Sequence, residues 1–175
     1  LIKKDKNITL TFKKNKIYTL YSTLEPCCHE GRDESCVSKI LKSKKINRVI
    51  FSLIDPDKRV NGKGKKILKK NNLEVKSGLL ENQIKNLYQG YILNRKENRP
   101  KIILKLAITK DGYITFEKGK RTKITNLISD KYSDILRSEV DAILVGANTV
   151  RTDNCILKCK MTGLINKSPI RIVLN

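Results

Sequence analysis

The segment Thr23-Leu24-Glu25-Pro26-Cys27-Cys28-His29-Glu30-Gly31-Arg32-Asp33-Glu34-Ser35-Cys36 lies between two different periodicities. Before it, Ile17 to Ser22 is a short β-prone run that delivers the chain straight into polar residues, so a strand feeds a loop. After it, Val37, Ile40 and Leu41 fall at helical spacing, which puts Ser35 and Cys36 near a helix N-terminus. Arg48 to Leu53 then reads as a buried strand.

The same alternation continues outward. Asp55-Pro56-Asp57 signals a turn, Gly62 and Gly64 prolong the loop, and Ile67 with Leu68 begins a helix that Asn71-Asn72 ends. Leu73 to Ser77 follows as a strand. Strands alternating with helices in this way predict a largely parallel sheet with crossover helices. Leu80, Ile84, Leu87 and Tyr91 predict one more amphipathic helix, ending at the charged, Pro-terminated stretch Asn94 to Pro100. Few buried contacts can cross such a stretch, so the predicted division is a domain over 1–94, a linker over 95–100 and a second domain over 101–175. In the second, Lys101 to Ala107 and Ile114 to Phe116 read as strands on either side of an Asp111-Gly112 turn. Ile128, Ile135 and Leu136 mark a helix capped by Thr125 or Asn126, and Ala142 to Val145 and Ile170 to Leu174 are two further strands.

The chain opens on Leu1 rather than Met and closes on an apolar run, so an interior fragment of a longer protein is expected. It lacks the roughly 18 consecutive apolar residues of a membrane span, which points to a soluble, cytoplasmic protein. A net charge of +21 suggests a polyanion partner. Against that, lysines are spread over nearly every segment and aromatics make up only 5%, too few for the stacking platforms of single-strand binders. A Lys-rich bias together with phosphorylated substrates accounts better for the charge. Five cysteines, an odd number without a secretory signal, argue for reduced thiols rather than a disulfide framework. Cys155 and Cys159 receive no role.

Cys27 and Cys36 are separated by eight residues, one following Pro26 at a strand end and the other opening a helix. Zinc wants thiolate ligands, and a helix N-terminus favours the thiolate. A catalytic zinc keeps one position open for water and lowers its pKa toward neutrality. The general deaminase signature pairs His-x-Glu with a later Pro-Cys-x-x-Cys, and this longer spacing meets it only in part. Taken in isolation, two cysteines at this spacing favour a structural zinc site or a pair of inert thiols. Glu25 is the obvious substitute for an acid-base carboxylate, yet a structural role, accepting backbone hydrogen bonds, is expected for it.

The surrounding run changes the balance. Thr23-Leu24-Glu25-Pro26-Cys27, with His29, Gly31, Arg32 and a closing Cys36, resembles the deaminase domain of the bifunctional riboflavin-biosynthesis family. The loop Asp55 to Gly64 fits the same family, as an Asp-Pro turn before a small-residue helix entry. Lys105-Leu106-Ala107, Asp111-Gly112, Ile124-Thr125, Leu136-Arg137, Asp141 to Gly146, Thr149-Val150 and Asp153 stand in the order of that family's reductase domain. The resemblance implies an α/β protein: a partial cytidine-deaminase-like three-layer domain followed by a partial dihydrofolate-reductase-like α/β domain. The latter fold carries no Gly-x-Gly-x-x-Gly fingerprint, and none is present.

Activity and site residues are implied in the same way. They are zinc-dependent hydrolytic deamination of 2,5-diamino-6-(5-phosphoribosylamino)pyrimidin-4(3H)-one, then NADPH-dependent reduction of the ribosyl group to ribityl. Cys27 and Cys36 become zinc ligands, Cys28 a bystander, and His29 and Arg32 substrate contacts. Ala107, Lys123, Thr149 and Asp153 fall on the NADPH side of the reductase site, and Arg137, Leu157 and Lys160 at its phosphoribosyl substrate. Arg121 and Lys123 stand where the family commonly has Ser and Trp. No catalytic residue is implied within the chain; the His-x-Glu element is expected upstream of Leu1, so this segment alone should be inactive. Small-molecule phosphorylated pyrimidine is the expected partner, without nucleic acid or membrane, and a homo-oligomer is left open. Two rivals remain: a stand-alone nucleoside or tRNA-type deaminase with an unrelated tail, and a basic zinc-binding nucleic-acid module.

Overall fold

The computed structural model describes residues 16–31, 33–117, 119–120 and 122–175. Arg32, singled out as a substrate contact, and Arg121 lie outside the described residues. The chain forms two compact units that divide between Ile103 and Leu104.

The first unit runs β1 (Tyr18–Leu24), α1 (Cys36–Ser43), β2 (Ile46–Leu53), α2 (Lys63–Lys70), β3 (Glu74–Ser77), α3 (Glu81–Leu87) and α4 (Gln89–Glu97). Its three strands are parallel, in the order β1-β2-β3. Side chains alternate across a strand, so Val49, Phe51 and Leu53 of the central β2 share one face, and all three are buried. Val49 and Phe51 join Val37 and Ile40 from α1, Leu68 from α2 and Val75 from β3 in one cluster. Each such side chain, fully buried, contributes about 1.5–3 kcal/mol. The predicted β-α-β-α-β rhythm of this region is thus what forms.

Local chemistry sets the helix ends. The Ser35 hydroxyl caps α1 by accepting the Ser38 amide at 3.2 Å, and Lys44 closes the helix in the left-handed region at φ 51°. The α2 N-cap is Gly62, at φ 82°, which brings no side chain to cap with. The predicted helix over Leu80 to Tyr91 is two helices abutting at Tyr88, where the backbone sits at φ −97°, ψ 12°. Tyr88 turns its hydroxyl to Thr23 Oγ1, 2.9 Å away, and its ring meets Tyr91 edge-on. The stretch read as a linker is helical through Glu97, and Asn98 ends α4 in the left-handed region.

The second unit contains α5 (Leu127–Glu139), β4 (Ala142–Gly146), α6 (Ala147–Asp153), a 3-10 turn at Ile165–Lys167 and β5 (Ile170–Leu174). β4 and β5 pair in parallel, Ala142 opposite Ile170 through Gly146 opposite Leu174. Asn126, one of the two predicted caps, accepts the Ser129 amide at 2.9 Å. Gly112 makes the predicted turn at φ 89°, its amide donating to the Thr109 carbonyl at 3.0 Å. The expected strands over Lys101 to Ala107 and Ile114 to Phe116 do not form. An extended segment becomes a strand only when a neighbour takes its backbone hydrogen bonds, and neither segment joins a sheet. Cys159 and Pro169 are the only buried residues among those described in this unit. No helix among the described residues of the chain is long and apolar enough to cross a membrane.

Candidate active site at the cysteine loop

Between the end of β1 and the start of α1 the chain folds back on itself. The Val37 amide donates to the Cys27 carbonyl at 3.1 Å, and the Cys36 amide donates to Cys27 Sγ at 3.3 Å. Two residues nine positions apart are thereby held side by side at the first turn of a helix. Unsatisfied amides and the helix dipole favour negative charge there, which suits a thiolate. Both cysteines are half-buried.

This pair supplies two soft donors, and the described residues contain no group of three His, Cys, Asp or Glu placed to hold a metal. The described residues thus offer zinc two sulphur donors and do not by themselves complete a ligand set. His29 is half-buried beside them in sequence, and its Nδ1 is buried without a hydrogen-bond partner. A buried, unsatisfied ring nitrogen is costly unless something bound uses it. Cys28 turns elsewhere: its Sγ donates to the Arg59 carbonyl at 3.5 Å, and burial followed by the Glu25 charge pushes its thiol pKa up. Its thiol packs at the edge of the core cluster, in keeping with a bystander.

Glu25 is 3% exposed and does what was expected of it. Its Oε2 accepts the Gly62 amide at 2.8 Å and the Asp55 amide at 3.3 Å, while Oε1 accepts the Lys65 amide at 2.8 Å. A carboxylate from the end of β1 thus supplies the cap that Gly62 cannot, at the positive end of α2. Gly64 presses against the Pro26 carbonyl so closely that a Cβ there would collide with it. Asp55 and Asp57, both buried, fasten the rest of the loop. Asp55 Oδ1 accepts the Asp57 amide and the Tyr91 hydroxyl, at 2.9 and 2.8 Å. Asp57 takes the Arg59 guanidinium at 2.6 Å, with Arg95 of α4 at 3.7 Å. The Arg59 hydrogen bonds hold the Asp57 carboxyl well below the usual carboxylate range. The sequence marks Asp55 as a turn residue and Tyr91 as part of a helix stripe, and points to a site role for neither.

A groove of the first unit lies away from the cysteines. About 870 Å³ in volume, it lies by the carboxyl ends of β2 and β3, with Leu53, Ser77, Ile92 and Leu93 among its walls. It is open, and its walls include neither thiol, so the cysteine loop is the better candidate for chemistry.

In the second unit, Ala107 lines a pocket of about 440 Å³ together with Lys105, Thr125, Ile128, Tyr132 and Leu136. The other expected contacts do not line it. Lys123 is exposed and pairs with Asp130 at 3.1 Å, while Arg137 pairs within α5 with Asp134 at 2.6 Å. Thr149 and Asp153 lie four residues apart on α6, hence on one face. Leu157 is half-buried in the left-handed region at φ 57°, a costly conformation for a branched residue, and Lys160 is exposed.

Residues 100–175 match the family model described as the RibD C-terminal domain. A riboflavin biosynthesis protein RibD from Aquifex aeolicus is 38% identical over 163 residues, which are 93% of this chain and 45% of that protein. Its Escherichia coli counterpart is 30% identical, over 93% of this chain and 47% of its own length. Among solved structures, a diaminohydroxyphosphoribosylaminopyrimidine deaminase/5-amino-6-(5-phosphoribosylamino)uracil reductase from Thermotoga maritima superposes with a TM-score of 0.80 at 34% identity. It covers 87% of this chain and 42% of that one. Acinetobacter baumannii RibD gives 0.80 at 30% identity, over 86% and 43%. The chain spans about half the length of the curated relatives it matches. Single relatives cover both halves, so the second half is no unrelated tail on a stand-alone deaminase.

Proposed function

Because the chain belongs to the RibD family of riboflavin-biosynthesis proteins, we propose that it is a segment of the bifunctional enzyme of that pathway. Residues up to 94 supply part of a zinc-dependent pyrimidine deaminase, and residues 101–175 supply part of an NADPH-dependent reductase. The amino group of a 2,5-diamino-6-(5-phosphoribosylamino)pyrimidinone is removed by hydrolysis, and the ribosyl group is then reduced to ribityl.

The observation that carries this reading is the Cys27–Cys36 pair at the α1 N-terminus, joined by the 3.3 Å contact of the Cys36 amide with Cys27 Sγ. Cys27 and Cys36 would hold the zinc with a histidine from outside the described residues. Zinc would supply a Lewis acid that lowers the pKa of water toward neutrality, and NADPH would supply reducing equivalents. The chain's own residues bind and orient. His29 offers its unpartnered Nδ1 to the substrate, and Arg32 offers a guanidinium suited to its phosphate or ribose. Glu25 anchors the strand end that presents Cys27, and the Cys36 amide of α1 holds the Cys27 sulphur. In the reductase part, Ala107, Lys123, Thr149 and Asp153 would face the cofactor, and Arg137, Leu157 and Lys160 the phosphoribosyl end. For Arg137 this requires part of its five-donor fork to stay available beyond the Asp134 pair.

Metal analysis tests the carrying observation. In the protein that contains this segment, changing Cys27 and Cys36 together to Ser is expected to remove about one zinc per chain. Unchanged zinc content would show that the two sulphurs are not ligands.

A further inference from the structure

We propose that the Tyr91 hydroxyl is a positioning group for the Cys27–Cys36 pair, acting through Asp55 and Glu25. The inference deepens the proposed function and rests on its reading of the pair as a reaction centre.

The path is short, and buried at Asp55 and Glu25. The Tyr91 hydroxyl, on α4, donates to Asp55 Oδ1 at 2.8 Å. The Asp55 amide donates to Glu25 Oε2 at 3.3 Å, and the same oxygen holds the Gly62 amide while Oε1 holds that of Lys65. Glu25 leads directly through Pro26, whose carbonyl abuts Gly64, into Cys27, whose carbonyl and sulphur take the first amides of α1. Each link is a hydrogen bond or a steric stop rather than a loose packing contact, so a displacement of Asp55 is passed to the loop that carries the sulphurs.

Tyr91 is suited to hold the far end of this path. Burial, followed by the hydrogen bond to Asp55, pushes its pKa up to about 12, so it remains a donor throughout the physiological range. The Arg95 guanidinium lies over the ring, 5.5 Å from its centroid, and approaches Asp57 at 3.7 Å, a cation–π contact that favours this ring position. A phenylalanine would fill the same space and leave Asp55 one donor short. The hydroxyl, and not the ring, is therefore the element that the loop depends on. Thr23 and Tyr88 make a separate, exposed contact between β1 and the junction of α3 and α4, at 2.9 Å, that does not pass through Asp55.

The test uses the full chain and does not need zinc. Tyr91→Phe is expected to raise the iodoacetamide labelling rate of Cys27 and Cys36 about five-fold at fixed pH, read cysteine by cysteine by mass spectrometry. Labelling of the buried Cys159 and hydrogen exchange of the Val49 and Phe51 amides should stay unchanged. Glu25→Gln should raise labelling further, and Tyr91→Phe should add nothing on top of it. Unchanged labelling at both cysteines, or a full five-fold increment in the Glu25→Gln background, overturns the proposal. So does a rise at every cysteine with faster exchange in β2, because the hydroxyl would then serve global stability. Should Glu25→Gln fail to fold, Asp55→Ala takes its place in the pair of variants. Zinc content and labelling can fail separately, so the two readings are told apart.

Discussion

The two units treat their parallel strands differently. In the first, β2 lies between two neighbours, and Val49 and Phe51 are sealed beneath α1 and α2 without residual exposure. In the second, among the described residues, β4 and β5 have only each other, and Ile170, Ile172, Val173 and Leu174 are all exposed, Ile170 by 71%. Parallel strands in stable folds are covered on both faces, and an isolated two-stranded sheet has too little surface to hide. Apolar residues in an alternating pattern are thus not enough to make a core; they need facing partners. The first unit has them, and the first amides of α1 hold Cys27 while Glu25, two residues earlier, is bound by amides of α2 and the loop before it. The second spreads its expected contacts over α5, α6 and the loops, with only Thr149 and Asp153 sharing one helix face.

The contrast can be broken by substitution. Phe51→Ala should cost about 3–5 kcal/mol, measured as loss of hydrogen-exchange protection across β1, β2 and β3. Equal loss of protection in β4 and β5 would mean that the units do not unfold separately. At Asp57 the effect should be smaller and dependent on pH. Its folded pKa is depressed by the hydrogen bonds from Arg59, so the ion pair contributes stability above the unfolded carboxylate value, roughly 4. That contribution is lost as pH falls below this value toward the folded one. Asp57→Asn should therefore lower unfolding stability by about 1–2 kcal/mol at pH 7 and by progressively less on acidification, followed by urea titration. A difference that does not change between neutral and acidic pH would remove the ion pair from the account. Smallest of all, Leu144→Ala on the exposed face of β4 should change stability by less than about 0.5 kcal/mol. A loss of several kcal/mol would reveal that this face is covered.

The same contrast governs how much could be read from the residues alone. Every strand and crossover helix of the first unit is legible, because each is amphipathic or buried in its own right and bounded by Ser35, Asp55-Pro56 or Asn71-Asn72. The structural role of Glu25 is legible too, since a carboxylate two residues before a helix-docked loop has backbone amides within reach. The division at Tyr88 is not, because the stripe Leu80, Ile84, Leu87 and Tyr91 runs through it without a breaker. Lys101 to Ala107 has the composition of a strand but not the neighbour that makes one, and no local pattern records a missing neighbour. α6 was read only as a string of contact residues, its seven positions lacking an apolar stripe. The bond from Tyr91 to Asp55 joins residues 36 positions apart and leaves no periodic trace. The placement of Cys27 at a strand end and Cys36 at a helix start is legible, whereas their pairing, the metal and the substrate contacts come from the family and stand as proposals.

Gly64 carries an evolutionary consequence. Its φ lies outside the left-handed region and its backbone is one that any residue adopts, yet the Pro26 carbonyl occupies the place of a side chain. Gly62, two residues earlier, is the reverse: a left-handed backbone at φ 82° with open space around it. Drift can therefore replace Gly62 by asparagine, which tolerates that conformation, without moving a neighbour. At Gly64 every alternative must push the loop off Pro26, so a lineage can leave glycine there only by remodelling the cysteine loop in the same step. Two glycines in one turn are thus constrained differently, one by torsion and the other by occupancy.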